Sequence, residues 1–220
     1  SPEFTGGSGK MVMQLHNRNG VAAGLICVLM IIVGGCGAPP TPLTELNASY
    51  ESALTRTASL AATIEPGSET ERRAFGNLQR YFDAMTPASV RELTAGVYAP
   101  TGYLNDTLVG ITGARRIEAY FGETAAKASR LEVKFLDRAP VGIDWFVRWQ
   151  MTVAADGVND GAPVITYGVT QLRFDEGGRV LLHKDFWDSG TGLYEQLPVL
   201  GTMVGWVRAA IEPDGDQMEP

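Results

Sequence analysis

The sequence predicts an α+β fold in which helices come first and a curved antiparallel sheet follows. The first observation is that apolar residues recur at three- and four-residue spacing before Leu131, as on one face of a helix. The second is that the spacing changes to two from Leu131 onward, as in strands. The third is that glycine and aspartate turn signals separate the alternating segments, which favours consecutive hairpins.

Helical spacing predicts helices over 50–62, 71–85 and 88–95, and the second has the clearest apolar stripe. That stripe consists of Phe75, Leu78, Phe82 and Met85. Residues 98–109 mix aromatic, β-branched and turn residues, which favours a strand or an extended loop. Thr112 is then expected to cap the N-terminus of another helix. The apolar side of that helix contains Ile117, Tyr120 and Phe121.

The alternating part of the sequence predicts strands over 131–135, 143–153, 164–174 and 179–188. The tail that follows contains an amphipathic segment, which predicts a short helix over 203–210. Such a helix could close the open end of its own domain, or it could bring Trp206 into contact with a membrane surface.

The N-terminal region has the pattern of a secretion signal. Residues 1–10 are small, polar and glycine-rich, and we interpret them as an appended tag. A basic segment and a short apolar stretch follow within 11–35, and the stretch is shorter than the roughly 20 residues that span a bilayer. Residues 33–36, Val-Gly-Gly-Cys, resemble the bacterial lipobox, which implies a lipid on Cys36. A plain N-terminal membrane anchor is the alternative.

These segments predict the organisation of the chain. We expect a tether and a helix over 36–69, the main domain over 70–195, and a C-terminal helix and tail over 196–220. The lipobox resemblance implies a lipid-anchored protein of the bacterial cell envelope that faces the periplasm, at the outer membrane. The only two cysteines, Cys27 and Cys36, belong to the signal region, so neither a disulfide framework nor a cysteine metal site is expected.

The overall charge limits the classes of partner. The formal net charge is −7, and the acidic residues are spread along the chain. Nucleic-acid binding requires a basic face, so this charge argues against it. We also predict no metal site and no cofactor.

The order of elements over about 70–195 resembles the nuclear transport factor 2-like superfamily, which includes the SnoaL-like polyketide cyclases. The resemblance implies a cone-shaped fold, with the sheet wrapped around the N-terminal helices and a ligand cavity inside. Three blocks resemble ketosteroid isomerases: Gln79-Arg80-Tyr81, the segment 105–110 and the segment 172–180. By this resemblance Tyr81 would hold a substrate oxygen and Asp106 would be a carboxylate base. Thr170 stands where that family has an acidic donor.

Other blocks resemble limonene epoxide hydrolases. Tyr103 and Asn105 resemble the pair that positions water, Asp185 resembles a catalytic aspartate, and Arg148 resembles the arginine that bridges two carboxylates. Gln150 stands where the second aspartate of that family would be. Glutamine cannot supply a proton for epoxide opening, so the complete hydrolase mechanism is not expected.

Strand alternation predicts a polar-bottomed pocket without any resemblance. His183, Asp185 and Trp187 share one face of the last strand, and we expect that face to point inward. Arg148 and Gln150 share one face of a central strand, and a buried arginine needs a carboxylate partner. We therefore expect an Arg148–Asp185 ion pair at the floor of the pocket, with Asn105, Gln150, Thr170, His183 and Trp187 as ligand-binding residues.

Each candidate also has a structural interpretation. The expected ion pair could only stabilise the fold, Tyr81 could be a core residue, Asp106 could be a turn residue, and His183 could lie at a surface. The tryptophans at 145 and 149 are expected in the core or in a sheet-to-sheet dimer interface.

Three functions remain open. The first is a domain that binds a small hydrophobic molecule. The second is an isomerase, cyclase or hydrolase that uses Asp185 or Asp106 as base and Tyr81 or Tyr103 as donor on a hydrophobic carbonyl or epoxide. The third is a dimerisation or interaction module.

Overall fold

A computed structural model describes residues 41–83 and 85–211 of the 220-residue chain. The predicted tag, the signal segment and the lipidation site Cys36 lie outside the described residues. The domain limits that we inferred from the sequence therefore stay predictions.

Helices occupy both ends of the described chain. The α-helices are α1 (Leu43–Ala58), α2 (Glu69–Phe82), α3 (Pro87–Val97), α4 (Ala114–Lys127), α5 (Ser189–Gly192) and α6 (Leu200–Ile211). Ser68 begins α2 by accepting a hydrogen bond from the N–H of Glu71 at 3.1 Å. Thr86 and Ser89 form a capping box at the start of α3. These side chains satisfy backbone donors that the first helical turn leaves free.

The expected cap at Thr112 is wrong. Thr112 ends a short strand, and Gly113 precedes α4 with a φ of 102°. A β-branched residue is disfavoured at such an angle, whereas glycine adopts it without steric cost.

Within the described residues, six strands form one open sheet. They are β1 (Tyr98–Asn105), β2 (Gly110–Thr112), β3 (Ala128–Val141), β4 (Asp144–Ala155), β5 (Val164–Phe174) and β6 (Val180–Trp187). Their order across the sheet is β2-β1-β6-β5-β4-β3. The three hairpin connections from β3 to β6 are antiparallel, as the turn signals predicted. The α+β class is confirmed.

The sheet as a whole is mixed, because β1, which lies outside the predicted hairpins, runs parallel to β6. A hairpin forces its two strands to be antiparallel, but no hairpin joins these two. Since α4 and four strands separate them in sequence, no local turn signal could fix their relative direction.

The main core lies between one face of the sheet and the helices α2, α3 and α4. The predicted stripe of α2 is buried there against Trp145, Leu172 and Phe174 of β4 and β5. Phe75 lies edge-on to Trp145 and Phe174, with ring centroids 5.2 and 5.3 Å apart. We call this face of the sheet the inner face.

The opposite, outer face is partly covered by α1. Ala53 of α1 packs with Tyr103 and Leu182, which belong to β1 and β6. Arg173 of β5 fixes this helix, since its Nη1 donates to the carbonyl oxygen of Leu54 at 2.6 Å. The same guanidinium pairs with Asp144, with 2.6 Å between Nε and Oδ1.

Several large apolar side chains stay exposed outside α1. Ile165, Tyr167 and Phe186 lie on the outer face, and α6 has no buried residue. Trp206 of α6 is 71% exposed. Between residues 41 and 211, as far as described, no helix combines the length and the apolar character that crossing a bilayer requires.

Candidate functional site

A cavity of about 200 Å³ lies between the inner face of the sheet and the helices. Most of its wall is apolar, including Leu78, Phe82, Phe121, Leu131, Val147 and Leu172. Its polar lining residues are Asp106, Tyr120, Thr124, Thr170, His183 and Asp185. Gly192 of α5 and the adjacent Leu193 complete the lining, so the segment after β6 takes part in the site.

The Asp185 carboxylate is held by two donors from the inner face. Thr170 lies directly opposite on β5 and donates its hydroxyl to Oδ1 of Asp185. His183 places Nε2 at 3.0 Å from the same oxygen. Trp149 donates its indole N–H to Oγ1 of Thr170 at 2.7 Å, and the hydroxyl of Tyr98 lies 2.9 Å from Nδ1 of His183. The result is a buried network that converges on one carboxylate oxygen.

A second carboxylate, that of Asp106, reaches the cavity from the loop after β1. Its Oδ1 accepts the backbone N–H groups of Leu108 and Val109, each at 3.0 Å. Its Oδ2 accepts the hydroxyl of Tyr120, which α4 supplies. Trp187 donates its indole N–H to the backbone oxygen of Asp106 at 2.9 Å, and so ties this loop to β6.

Burial controls the protonation of these groups. It raises the pKa of the Asp106 carboxyl, the Tyr120 hydrogen bond opposes this rise, and the nearby charge of Asp185 adds to it. Burial also raises the pKa of Tyr120 and that of Tyr98. Both phenols therefore keep their protons at neutral pH and act as hydrogen-bond donors.

The expected Arg148–Asp185 ion pair is wrong. Arg148 lies on the outer face and pairs with Asp137, with 3.0 Å between Nε and Oδ2. Thr170 is opposite Asp185 on one side and opposite Val147 on the other. Directly opposed residues share a face of a sheet, so Val147 and not Arg148 lies on the inner face with Asp185.

Tyr103 and Asn105 do not line the cavity either. Both lie on the outer face under α1, where the Tyr103 hydroxyl is 2.8 Å from Oγ of Ser49. Asn105 donates its amide to the Tyr103 hydroxyl at 3.0 Å and accepts from Nζ of Lys184 at 2.9 Å. The pair that resembles a water-positioning motif is therefore on the other side of the sheet from Asp185.

Two further candidates have structural partners instead of a place in the cavity lining. The Tyr81 hydroxyl is buried 2.9 Å from Oγ1 of Thr94, which favours its interpretation as a core residue. Gln150 lies on the outer face and donates to the hydroxyl of Tyr167 at 2.7 Å. The cavity thus brings together Asp106, Thr170, His183, Asp185 and Trp187 from the predicted set.

Sequence reasoning missed three contributors to the site. The sequence predicts Trp149 in the core or in a sheet-to-sheet dimer interface, Tyr120 on the apolar side of a helix, and Tyr98 in a strand or an extended loop. Strand alternation places Trp149 on the face of β4 opposite to Arg148. Once the Trp149 face is known to be the inner one, this alternation indicates that Trp149 belongs to the site. For the two tyrosines, nothing local in the sequence indicates a carboxylate or imidazole partner.

The part of the chain that the structure describes contains no group of three or more histidine, cysteine, aspartate or glutamate residues arranged to hold a metal ion. The fold and the site together define an α+β domain with an internal cavity, apolar in its walls and acidic at its polar end.

Three solved structures with similar folds illustrate the range of protein classes among the matches. A ketosteroid isomerase-like protein from Catenulispora acidiphila DSM 44928, in complex with trimethylamine, is 17% identical, has a TM-score of 0.49, and covers 57% of this chain and 93% of its own. An M. tuberculosis epoxide hydrolase of the LEH-like type is 13% identical, has a TM-score of 0.48, and covers 69% of this chain and 99% of its own.

The third, from Jannaschia sp. CCS1, is assigned as a SnoaL-like polyketide cyclase. It is 20% identical, has a TM-score of 0.45, and covers 57% of this chain and 92% of its own. No family model matches the sequence, and no curated protein matches it.

Proposed function

We propose that this domain binds a small hydrophobic molecule in its internal cavity. The observation that carries the proposal is a cavity of about 200 Å³ whose apolar walls converge on Asp185 and His183. Small-molecule sites commonly combine apolar walls with a few placed polar groups. A core that served packing alone would be filled at close to crystal density.

The volume limits the size of the ligand. An engineered apolar cavity of about 150 Å³ in another protein holds one benzene molecule. A cavity of about 200 Å³ therefore suits a ligand of roughly ten non-hydrogen atoms at most. A rigid monocyclic or small bicyclic body fits this limit better than a long chain does.

The test is calorimetric titration with benzene, indole and naphthalene. Val133 lines the cavity, so Val133→Trp should fill it and weaken binding at least tenfold. Leu136→Trp is the matched control, because Leu136 belongs to the same strand but is 46% exposed and lies outside the lining. Absence of saturable binding by all three compounds in the unmodified protein would overturn the proposal, and so would equal binding by both variants.

An enzymatic role is the second candidate, with Asp106 or Asp185 as the base. The observation that favours it is the position of Asp106, whose carboxyl lines the cavity and accepts the Tyr120 hydroxyl. Burial raises the pKa of this carboxyl, and a carboxyl that titrates closer to neutrality is a better general base. The reaction class would be isomerisation, cyclisation or hydrolysis of a hydrophobic carbonyl or epoxide compound. Turnover lost in Asp106→Asn or in Asp185→Asn, with an unchanged melting temperature, would support it. Turnover retained in both variants would exclude these two bases.

Pairing of two copies is a third candidate. The exposed outer-face side chains Ile165, Tyr167 and Phe186 favour it, because apolar side chains are enriched in the centres of homodimer interfaces. Light scattering should then give a dimer mass that Ile165→Lys reduces to the monomer. A monomer mass for the unmodified protein at high concentration would contradict this candidate.

We further propose that Cys36 carries a lipid that anchors the protein in the bacterial cell envelope. The support is the resemblance of residues 33–36 to the lipobox. Intact mass measurement of protein isolated from bacterial membranes should show an acylated Cys36 as the first residue, and Cys36→Ser should release the protein to the soluble fraction. An unmodified Cys36 in the membrane fraction would favour the plain anchor instead.

A further inference from the structure

We propose that the cavity selects a hydrophobic organic cation: a protonated amine carried on a small aromatic or aliphatic body. This inference rests on the proposed ligand-binding function and deepens it by naming the charge of the ligand. Three features of the described residues carry it, namely the charges that line the cavity, the direction of the hydrogen bonds at Asp185, and the aromatic wall.

The charged side chains that line the cavity are of one sign. Asp106 and Asp185 both line it, and no lysine or arginine occurs among the described lining residues. The nearest cation on the same strand, Lys184, points to the outer face, where Nζ donates to Oδ1 of Asn105 at 2.9 Å. The negative charge that faces the cavity therefore has no cationic partner within it.

The protons of the Asp185 network can be assigned from its geometry. Tyr98 is fully buried, and its hydroxyl has one hydrogen-bond partner among the described residues, Nδ1 of His183. Tyr98 must donate this bond, since otherwise its buried O–H group would have no acceptor. Nδ1 is then an acceptor, so His183 is neutral and donates its Nε2–H to Asp185.

In this assignment the Asp185 carboxylate acts only as an acceptor. Its Oδ1 accepts from both His183 and Thr170. Both side-chain hydrogen bonds of Asp185 within the described residues go to Oδ1, which leaves Oδ2 without such a partner, and the side chain lines the cavity. A carboxylate oxygen that faces the cavity and is held in place through Oδ1 is suited to an ammonium donor, which gives a charge-assisted hydrogen bond.

The wall around these carboxylates is rich in aromatic rings. The rings that line the cavity belong to Phe82, Tyr120, Phe121, Phe135, Trp149 and Trp187. Aromatic faces attract cations through the ring quadrupole, and tryptophan does so most strongly. An anionic ligand would be repelled by both carboxylates. A neutral ligand would gain the apolar contacts and at most an uncharged hydrogen bond to Asp185, which is weaker than one from an ammonium group.

The test compares three ligands of nearly equal size: benzylamine, benzyl alcohol and benzoate. Calorimetric titration at pH 7.5 should show benzylamine binding at least tenfold more tightly than benzyl alcohol, and no binding of benzoate. If neither benzylamine nor benzyl alcohol binds, the proposed function itself fails. If benzyl alcohol binds as tightly as benzylamine, ligand binding stands and the selection for a cation is overturned.

Variants test whether the preference for benzylamine depends on the carboxylates that line the cavity. In Asp185→Asn the preference for benzylamine should fall below threefold, because the amide keeps an acceptor for Thr170 and His183 but loses the charge. Asp137→Asn is the matched control: it removes the same charge from the outer face, where the Asp137 side chain is 59% exposed, and it should keep the full preference. If Asp185→Asn does not fold, the preference for benzylamine is measured in Asp106→Asn, where it should also fall. An unchanged preference in both cavity variants would overturn the assignment.

Discussion

Replacing Thr170 with valine tests the buried network at the acidic end of the cavity. Thr170 is 4% exposed, donates to Asp185 and accepts from Trp149, whose side chain is also buried. Valine keeps the shape of threonine but makes neither bond. The indole N–H without an acceptor costs about 1–3 kcal/mol, and the lost bond to the carboxylate costs about 1.5–3 kcal/mol. The additional buried methyl group returns about 1 kcal/mol.

We therefore expect Thr170→Val to lower the free energy of unfolding by about 3 kcal/mol. In a chain of this size that corresponds to a fall in Tm of about 6–12 °C. Urea unfolding and calorimetry measure both quantities. Adding Trp149→Phe removes the stranded donor, so the double variant should lose about 1 kcal/mol less than the sum of the single variants.

Thr152→Val is the matched control for this experiment. Thr152 is a half-buried threonine of β4, its hydroxyl makes no hydrogen bond to a described residue, and it lies on the outer face opposite the exposed Ile165. We expect its replacement to change stability by about 0.5 kcal/mol or less. Equal and small effects of Thr170→Val and Thr152→Val would refute the network.

Three further predictions concern protonation and ion pairs. Burial raises the pKa of Tyr81 to about 12, from a usual value of 10.0, so the stability that its neutral form provides is complete below pH 10 and is lost as the pH rises to about 12. In Tyr81→Phe the free energy of unfolding should depend less on pH over that window. The variant should also be about 1 kcal/mol less stable at neutral pH, since Thr94 loses a hydrogen-bond donor. Because burial raises the pKa of Asp106, the free energy of unfolding should fall as the pH rises from about 4 through the pKa of the folded state. Asp106→Asn should remove this fall, which urea titrations at a series of pH values measure. Arg148→Met should leave stability nearly unchanged because its ion pair is exposed, whereas Arg173→Met should cost about 3–5 kcal/mol because it leaves Asp144, whose side chain is only 18% exposed, without its partner. Similar losses in the two arginine variants, or pH profiles that the substitutions do not alter, would contradict these assignments.

The predictions made from the sequence succeed where the signal is local. The stripe of α2, the hairpins from β3 to β6 and the shared face of His183, Asp185 and Trp187 all follow from spacing along a single segment. Helix and strand periodicity are properties of the covalent backbone, so they can be recognised without knowledge of any partner. Boundaries are less predictable: α1 begins seven residues before the predicted helix and ends four residues before its predicted end, because helix ends depend on caps and tertiary contacts.

The predictions fail where two distant segments must be aligned. The parallel pairing of β1 with β6 has no hairpin to indicate it, and it places Tyr103 and Asn105 on the face away from Asp185. The partner of Asp106, Tyr120, comes from α4 and is visible only when the helix is packed on the sheet.

The sequence by itself determined which side chains of each strand lie together, and hence that an acidic residue and two aromatic rings would share one face near the end of β6. Only the tertiary structure decided what that face meets. The register across β4, β5 and β6 puts Val147 in line with Asp185 and turns Arg148 to the outer face. A shift of one residue in register exchanges the two faces of a strand, and no property of one strand fixes its alignment with the next. Packing of α2 and α4 against the apolar side selects the inner face, and that choice makes Asp185 part of a cavity.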